Sequence, residues 1–359
     1  LDQYFMRHPD SFFGRPHEHA IVDDKNPYIL SGHLLCAASE LPIRPERDLP
    51  FFGDAGREML QSLEECGLLR STPRGWVYAG KGRAVDAVKL DSITADTFRV
   101  TCSGNLLETL GTAQAFREAH PGAILLHQGE PHIVREFNLQ EHTIHVRETD
   151  ADYYTQPMKS VDLKVLKEMR REERGEVSLS FGSVEVTEQY TGYKLLKFDQ
   201  VIGMEPLDLP PLRFETMALW FTVPEEMASD HAVHGTDFAG GLHGTEHALI
   251  GILPFHVMCD RWDIGGVSTT FHPDTSMPTV FIYDGFEGGI GLTEKAYSLM
   301  GDIARMSFEL VRDCRCESGC PSCIYSPKCG NDNQPLHKQT TVEILEGLLR
   351  SLTGAGERV

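Results

Sequence analysis

Five cysteines lie within sixteen residues near the end of the chain, in the run CRCESGCPSCIYSPKC. Thiolates this close together usually hold one metal ion, and Zn²⁺ binds four of them in a tetrahedron with Zn–S distances of about 2.3 Å. Cys320 and Cys323 form a CPSC turn, with Cys316 four residues before it and Cys329 six residues after it. We therefore predict a zinc site made by these four cysteines. Four sulfur ligands leave no open position, so this zinc would be structural.

Two other interpretations of the cysteine run remain open. The CPSC turn has the spacing of a thioredoxin-like redox pair, and several cysteines in a short segment also suit a disulfide framework. A redox pair accounts for only two of the five thiols, which favours zinc. The spacing also leaves open whether Cys314 replaces Cys316 as a ligand.

The rest of the sequence indicates a multidomain protein of a reducing compartment. The 359 residues are 41% hydrophobic, enough for two or three domains with their own cores. The sequence contains no apolar run as long as the ~18 residues of a membrane helix, and no signal peptide at its start. Scattered cysteines favour a cytosolic protein; outside the cluster they are Cys36, Cys66, Cys102 and Cys259. Because residue 1 is Leu, we expect a piece of a longer polypeptide.

Residues 26–85 are predicted to form a winged helix, preceded by a connecting arm over residues 1–25. Asn26 and Pro27 suit the cap and first turn of a helix whose apolar positions repeat at helical spacing. A second helix is predicted to begin with Asp54 as its cap and to end at Gly67. Two short extended segments follow around the turn Thr72-Pro73-Arg74-Gly75, as in the wing of such a module.

The charge distribution restricts how this module would meet nucleic acid. The chain has a formal net charge of −20, so it is a poor non-specific binder of phosphate backbones, and any contact must come from a local basic patch. The predicted wing carries four bases and no acid. We predict that it binds DNA, with Trp76 stacking on a base; the basic residues are Arg70, Arg74, Lys81 and Arg83. The alternative is a structural winged helix with solvated bases and a core tryptophan.

The remaining chain is predicted to be β-rich over residues 86–212 and mixed α/β over residues 213–359. Short β-branched or alternating runs fill the first part, which suits a small barrel or curled sheet. The proline-rich segment LDLPPL marks a boundary after residue 212. The fold class is therefore α+β multidomain, with a winged helix, a barrel-like middle region and a mixed α/β zinc-binding C-terminal domain.

The sequence HGTEH at residues 243–247 has the H-x-x-E-H pattern of inverzincin metallopeptidases. On a helix, His243 and His247 share one face and would bind zinc, with Glu246 as the base. Such a site needs a third ligand, usually an acid on a later helix, and no residue is identified for it. The alternative is a polar helix whose histidines are hydrogen-bonded.

Two further segments have a structural and a functional interpretation. The glycine-rich run DGFEGGIG lies between a predicted strand and helix, where phosphate loops occur, but it lacks the G-K-[ST] of a Walker A loop. A tight glycine corner is favoured.

The pair Asp260 and Asp263 suits either a cation site or a capped turn, and a capped turn is the commoner of the two. No P-loop and no D-E-A-D or D-E-x-H box occurs in the sequence, so it lacks the usual helicase ATPase machinery.

Several longer stretches taken together resemble one family, the MrfA-type superfamily 2 DNA repair helicases. They are LDQYFMRHPDSFFGR, NPYILSGHLLCAA, GTEHALIGILP, CDRWDIGG, FIYDGFEGGIGL and the cysteine run continuing to GNDNQPLHK. The resemblance covers essentially the whole chain and the C-terminal half of the family. It implies two preceding RecA-like ATPase domains, 3′→5′ translocation on DNA with ATP and Mg²⁺, and a zinc domain after the winged helix. The family's cysteine motif then falls on Cys316, Cys320, Cys323 and Cys329.

The leading hypothesis is an accessory C-terminal module of an ATP-dependent DNA repair helicase. It would position single-stranded or tailed duplex DNA against the motor, without ATPase activity of its own, as a monomer with no membrane partner. The alternatives are an autonomous zinc-containing protein-interaction scaffold and the metallopeptidase.

Overall fold

The chain contains a small helical module with a hairpin, a five-stranded sheet and a six-stranded sheet covered by helices, so the predicted multidomain α+β architecture is confirmed. The computed structural model describes residues 2–14, 26–88, 97–198, 200–224 and 236–353. Within these residues the helices are α1 (Asp2–Arg7), α2 (Asp10–Phe13), α3 (Pro27–Glu40), α4 (Pro45–Phe52), α5 (Ala55–Glu65), α6 (Thr112–Glu118), α7 (Thr236–Ile252), α8 (Leu292–Ser298), α9 (Met300–Asp313) and α10 (Lys338–Thr353). The strands are β1 (Leu69–Thr72), β2 (Gly75–Tyr78), β3 (Thr97–Cys102), β4 (Asn105–Gly111), β5 (Ile124–His127), β6 (Glu130–Asn138), β7 (Thr143–Glu148), β8 (Tyr154–Arg174), β9 (Val177–Lys197), β10 (Gln200–Pro206), β11 (Leu212–Thr222), β12 (Ile264–His272) and β13 (Met277–Asp284).

The winged helix consists of α3, α4, α5 and the antiparallel hairpin β1–β2. The predicted Asn26 cap is confirmed, because its side chain accepts hydrogen bonds from the backbone N–H groups of Tyr28 and Ile29. The apolar face of α3 forms the core of the module against α5 and β1. Ile43 pairs with Trp76 as an isolated bridge, which adds a short third edge to the hairpin.

Three details of the N-terminal part differ from the sequence-based expectation. Asp54 occupies the N-cap position of α5 without a capping hydrogen bond, so its predicted capping role is wrong. The helix α4 was not predicted; it begins at a proline and contains a second one, Pro50. Residues 2–13 of the predicted arm contain the short helices α1 and α2, whereas residues 1 and 15–25 lie outside the described part of the chain.

The five-stranded sheet has the order β4-β3-β7-β6-β5, with β3 and β7 parallel and its other neighbours antiparallel. The helix α6 packs against one face, where Phe98, Phe116 and Ile144 are fully buried. Tyr190 of β9 joins this core, so the small sheet is attached to the larger one through apolar contact.

The six-stranded sheet has the order β10-β9-β11-β13-β12, and β8 pairs with the other side of β9 along its whole length. Alternate residues of β11 face opposite sides: Leu219 and Phe221 pack under the helices, whereas Ala218 and Trp220 face a second core. Val165 N–H donates to the Asp274 carboxylate at 2.8 Å, which joins β8 to the β12–β13 hairpin. The sheet therefore curls on itself.

The predicted boundary between residues 212 and 213 cuts through this curled sheet. Strand β11 begins at Leu212 and pairs with β9 from Leu212↔Glu188 onward. The LDLPPL segment is therefore a connection between β10 and β11 of the same sheet. A proline-rich stretch marks a turn in either case, and only the strand pairing shows that this turn does not separate two units.

Helices α7, α8, α9 and α10 cover one face of the large sheet and form the main core with it. The long helix predicted after the glycine turn is interrupted at Leu299, which separates α8 from α9. The last helix of this layer is α10, and α7 ends in a 3₁₀ turn at Leu253–Phe255 that contains Pro254. None of the helices in the described ranges is long and apolar enough to cross a membrane.

The glycine-rich turn between β13 and α8 is organised by a buried carboxylate, Asp284. Its two oxygens accept backbone N–H groups from Ile290 at 2.7 Å, Gly291 at 3.0 Å, Leu292 at 3.3 Å and Thr293 at 2.8 Å. Burial raises the pKa of Asp284, and these hydrogen bonds oppose the rise. The sequence-based preference for a glycine corner over a phosphate loop agrees with this arrangement, because the protein's own carboxylate occupies the N–H groups.

Asn26 connects the winged helix to the same turn. Its side-chain amide donates to the carbonyl oxygens of Glu287, at 3.3 Å, and Gly289. Tyr28 adds a hydrogen bond from its hydroxyl to the Glu287 carboxylate at 3.0 Å. The start of α3 is therefore fixed on the loop that leads into α8.

Helices α7 and α10 approach closely because α7 has glycines on the contact face. A Cβ built on Gly244 would overlap the hydroxyl of Thr341, a buried residue of α10. We expect Gly244→Ala to lower the free energy of unfolding by about 1–3 kcal/mol, the usual cost of overpacking. Urea denaturation followed by circular dichroism measures this change.

Gly251 provides the matched control on the same helix. A Cβ there meets only the Arg261 guanidinium, at 3.8 Å. Since alanine favours a helix over glycine by up to about 1 kcal/mol, Gly251→Ala should leave stability unchanged or raise it. An equal loss of unfolding free energy in the two variants would contradict close packing at Gly244.

Candidate metal centre

Four thiols converge after the end of α9, and their sulfur atoms all lie within 4.8 Å of one another. Sγ–Sγ distances are 3.6 Å from Cys314 to Cys316, 3.5 Å from Cys314 to Cys320, 3.5 Å from Cys316 to Cys323 and 3.8 Å from Cys320 to Cys323. A tetrahedron with 2.3 Å metal–sulfur bonds has edges of about 3.8 Å. A disulfide has an S–S bond of about 2.05 Å, so these cysteines are not paired as disulfides. The arrangement fits one tetrahedral Zn²⁺.

The cluster differs from the predicted ligand set in one member. Cys316, Cys320 and Cys323 are present, but the fourth thiol is Cys314, and Cys329 lies instead beside His243 and His247. The physical reason is chain direction: after Cys323 the backbone passes through buried Ile324 and turns along α7, which takes Cys329 away from the other sulfurs. The C-x-C pair at 314 and 316 is the sequence signal for the observed grouping.

The local backbone brings the thiols together through a tight turn. The carbonyl oxygen of Cys320 accepts N–H groups from Cys323 and Tyr325, at 3.0 and 3.1 Å. Gly319 has a φ of 122°, and a Cβ there would lie 2.7 Å from the Tyr325 ring. Glycine is therefore required at this position.

Lys338, the first residue of α10, fixes the other half of the cluster. Its ammonium group donates to the carbonyl oxygens of Cys314 and Cys316, both at 2.6 Å. Because these carbonyls belong to the ligand residues themselves, the contact orients the C-x-C segment. Lys338 was not identified from the sequence, since its role depends on the distance between α9 and α10 in space.

Without a cation, burial favours the neutral thiol form of Cys323 in the cluster. Burial raises the pKa of the Cys323 thiol to about 12, so the thiolate that a metal requires is disfavoured until a cation is present. The cysteines also pack against the main core of α7, α9 and α10. A metal here would therefore act on the stability of the whole helical layer.

The H-x-x-E-H segment lies on α7, as predicted, and its three polar side chains have different surroundings. His243 Nδ1 hydrogen-bonds the carbonyl oxygen of Pro335 at 2.8 Å, and His247 Nδ1 bonds that of Ile324 at 2.7 Å. Glu246 is buried against β12, where a Cβ on Gly266 would lie 2.6 Å from its carboxylate. Burial raises the pKa of Glu246. The third group near the histidines is Cys329 rather than an acid, so the geometry does not favour the metallopeptidase.

The pair Asp260 and Asp263 forms a capping box around a 3₁₀ turn, Arg261–Asp263. Asp260 accepts the Trp262 N–H at 2.9 Å, and Asp263 accepts the Asp260 N–H at 2.7 Å. Both carboxylates accept backbone N–H groups, in agreement with the preferred interpretation as a capped turn.

The predicted DNA-contacting residues lie on the β1–β2 hairpin and in the segment that follows it. Arg70 on β1, Arg74 in the turn, and Lys81 and Arg83 after β2 are exposed. Trp76 is half-buried, packs against the core of the module and donates its indole N–H to the Glu64 carboxylate at 2.9 Å. The structure therefore gives Trp76 a packing role, and its stacking on a base stays a prediction.

Comparison with known proteins finds matches to family models in two parts of the chain. Residues 245–324 match the family described as the MrfA Zn-binding domain, and residues 22–83 match the winged helix domain of the ATP-dependent helicase HRQ1. YprA, an uncharacterised ATP-dependent helicase of Bacillus subtilis (strain 168), is 31% identical over 331 residues, which are 90% of this chain and 44% of the relative. A solved structure of the DUF1998 helicase MrfA is 27% identical with a TM-score of 0.62, and the match covers 96% of this chain and 47% of that chain.

Over nearly its whole length, the chain matches the C-terminal region of MrfA-like helicases. It spans less than half the length of YprA. MrfA has also been solved bound to DNA; that structure is 29% identical with a TM-score of 0.54, and the match covers 96% of this chain and 46% of that one. The zinc-binding match of this MrfA-like region includes the four clustered cysteines and ends before Cys329.

Proposed function

We propose that this chain guides DNA for an ATP-dependent 3′→5′ helicase that acts in DNA repair. The observation that carries the proposal is the structural match over 96% of the chain to MrfA bound to DNA. The sequence has no P-loop, so ATP and Mg²⁺ would be bound by RecA-like domains outside it. The chain by itself would bind DNA without hydrolysing ATP.

The metal in this proposal is a structural Zn²⁺ held by Cys314, Cys316, Cys320 and Cys323. The four-sulfur donor set and tetrahedral spacing support zinc, and no ligand position remains open for a substrate. Zinc would fix the loop between α9 and α10. None of the nine cysteines forms a disulfide, which supports the reducing environment of the cytosol.

The DNA-binding surface in this proposal is the hairpin of the winged helix and the basic segment that follows it. Exposed Arg70 and Arg74 lie on this hairpin, where they can contact a phosphate backbone. The helix α5 is acidic and would repel phosphates, so it is not part of this surface. The occupant would be single-stranded DNA or the junction of a tailed duplex, bound by a monomer. Because the chain as a whole is acidic, affinity would depend on these few contacts and fall with salt.

We expect the double variant Arg70→Glu and Arg74→Glu to weaken binding to a tailed duplex. Each phosphate contact contributes about 0.7–0.9 to the slope of log Kd on log salt, so losing two lowers the slope by about 1.4–1.8. Fluorescence anisotropy over a salt series, with a fluorescent duplex carrying a 3′ tail, measures this change.

The matched control is the double variant Arg135→Glu and Arg147→Glu, which reverses the charge of two exposed side chains of the five-stranded sheet. It changes the net charge equally but leaves the hairpin intact. Equal weakening in both double variants would contradict a specific role for the hairpin. A wild-type chain with no affinity for DNA at low salt would instead favour the protein-interaction scaffold.

A further inference from the structure

A second group of metal-binding side chains lies outside the cysteine cluster, where α7 meets the loop before α10. A ring nitrogen of His243, a ring nitrogen of His247 and the sulfur of Cys329 lie within 4.8 Å of one another. His243 Nε2 lies 3.4 Å from Cys329 Sγ. The histidines are one helical turn apart, and their ring centroids are separated by 4.3 Å.

Hydrogen bonds determine which nitrogen of each histidine is available. A carbonyl oxygen only accepts, so His243 Nδ1 must donate its proton to Pro335 O, and His247 Nδ1 must donate to Ile324 O. Each neutral ring then carries its lone pair on Nε2. Metal-binding histidines typically donate their other ring N–H to a carbonyl or carboxylate in this way.

The loop also presents the Cys329 sulfur as an acceptor. The backbone N–H of Asn333 donates to this sulfur at 3.3 Å. The Asn333 side chain accepts the Ser326 N–H at 2.7 Å and donates to the Ser326 carbonyl oxygen at 3.1 Å, which closes the loop around Cys329. The sulfur of Cys329 is thereby held beside the histidines, in position to act as a ligand.

We propose that His243, His247 and Cys329 form a second Zn²⁺ site, separate from the four-cysteine site. Two imidazoles and one thiolate suit zinc, and a water molecule completes the tetrahedron. The ion connects α7 to the segment that follows the cysteine cluster, a role that the glutamate-assisted peptidase pattern does not include. This proposal stands independently of the proposed helicase function.

Zinc content per chain tests the site directly. The chain is purified, saturated with Zn²⁺, freed of loosely bound metal by gel filtration and analysed by plasma mass spectrometry. We expect two zinc ions per wild-type chain and one in Cys329→Ser or His247→Asn. His337→Asn is the matched control, because His337 lies at the start of α10 and bonds Thr340 instead; it should retain both ions.

Cobalt substitution gives a second measurement that separates the two sites. With both sites filled by Co²⁺, five thiolates contribute to the sulfur-to-cobalt charge-transfer absorption, so Cys329→Ser should lower it by about one fifth. The number of zinc ions per wild-type chain tests the proposal even if a variant fails to fold. One zinc per saturated wild-type chain, or two ions retained by Cys329→Ser, would overturn the proposal.

Discussion

Replacing Cys320 and Cys323 together by serine should remove one zinc ion per chain and destabilise the C-terminal helical layer. A ligand present at a thousandfold excess over its Kd stabilises the folded state by about 4 kcal/mol, and a structural zinc is bound at least this tightly. In a unit of this size, such a loss corresponds to a fall in Tm of roughly 8–16 °C. Both ligands lie against the core of α7, α9 and α10, so the loss should reach those helices.

Differential scanning calorimetry and zinc analysis on the same samples measure this effect. Cys66→Ser is the control, since Cys66 is exposed at the end of α5 in the winged helix. It should retain the metal content and the Tm of the wild type. The proposed structural zinc is wrong if the double variant melts at the wild-type temperature with unchanged zinc.

The second large effect is expected for Asp284→Ala. The carboxylate accepts four backbone N–H groups of the glycine turn, and its removal leaves them buried without an acceptor. Each unsatisfied buried donor costs about 1–3 kcal/mol, so a total loss of at least about 3 kcal/mol is expected even if the turn partly relaxes. Urea denaturation measures it.

Two further variants make this prediction specific. Asp284→Asn retains one acceptor oxygen, which can serve the three N–H groups now bound to Oδ2, so it should cost less than alanine. Asp274→Ala removes an exposed carboxylate with one backbone hydrogen bond and should cost no more than about 1 kcal/mol. If Asp284→Ala and Asp274→Ala had equal effects, the carboxylate would not be what organises the turn.

Local signals in the sequence were sufficient for the elements whose structure depends on neighbouring residues. The Asn26 cap, the apolar spacing of α3 and the turn between β1 and β2 specify the winged helix, and each is present as predicted. Gly67 ends α5 with a φ of 73°, as the predicted C-terminal glycine should. These features are encoded within a few residues of one another.

Features that depend on distant contacts were not predicted correctly. The spacing of five cysteines permits several sets of four, and the position of Cys314, rather than Cys329, beside the other three sulfurs depends on where α7 and α10 lie. Likewise, LDLPPL has the composition of an inter-domain linker, and only the pairing of β9 with β11 shows otherwise. The interruption at Leu299 has no proline near it, and the glycine that follows, Gly301, lies inside α9.

The two-sided use of Asn26 has a mechanical consequence for any motor to which this region is joined. The oxygen of the amide caps α3 while its nitrogen donates to the Glu287 and Gly289 carbonyls, so the residue that orders the start of α3 also ties the winged helix to the glycine turn. Movement of the winged helix away from the sheet breaks the bonds of the amide nitrogen, and a force applied to the wing reaches α8 through the glycine turn.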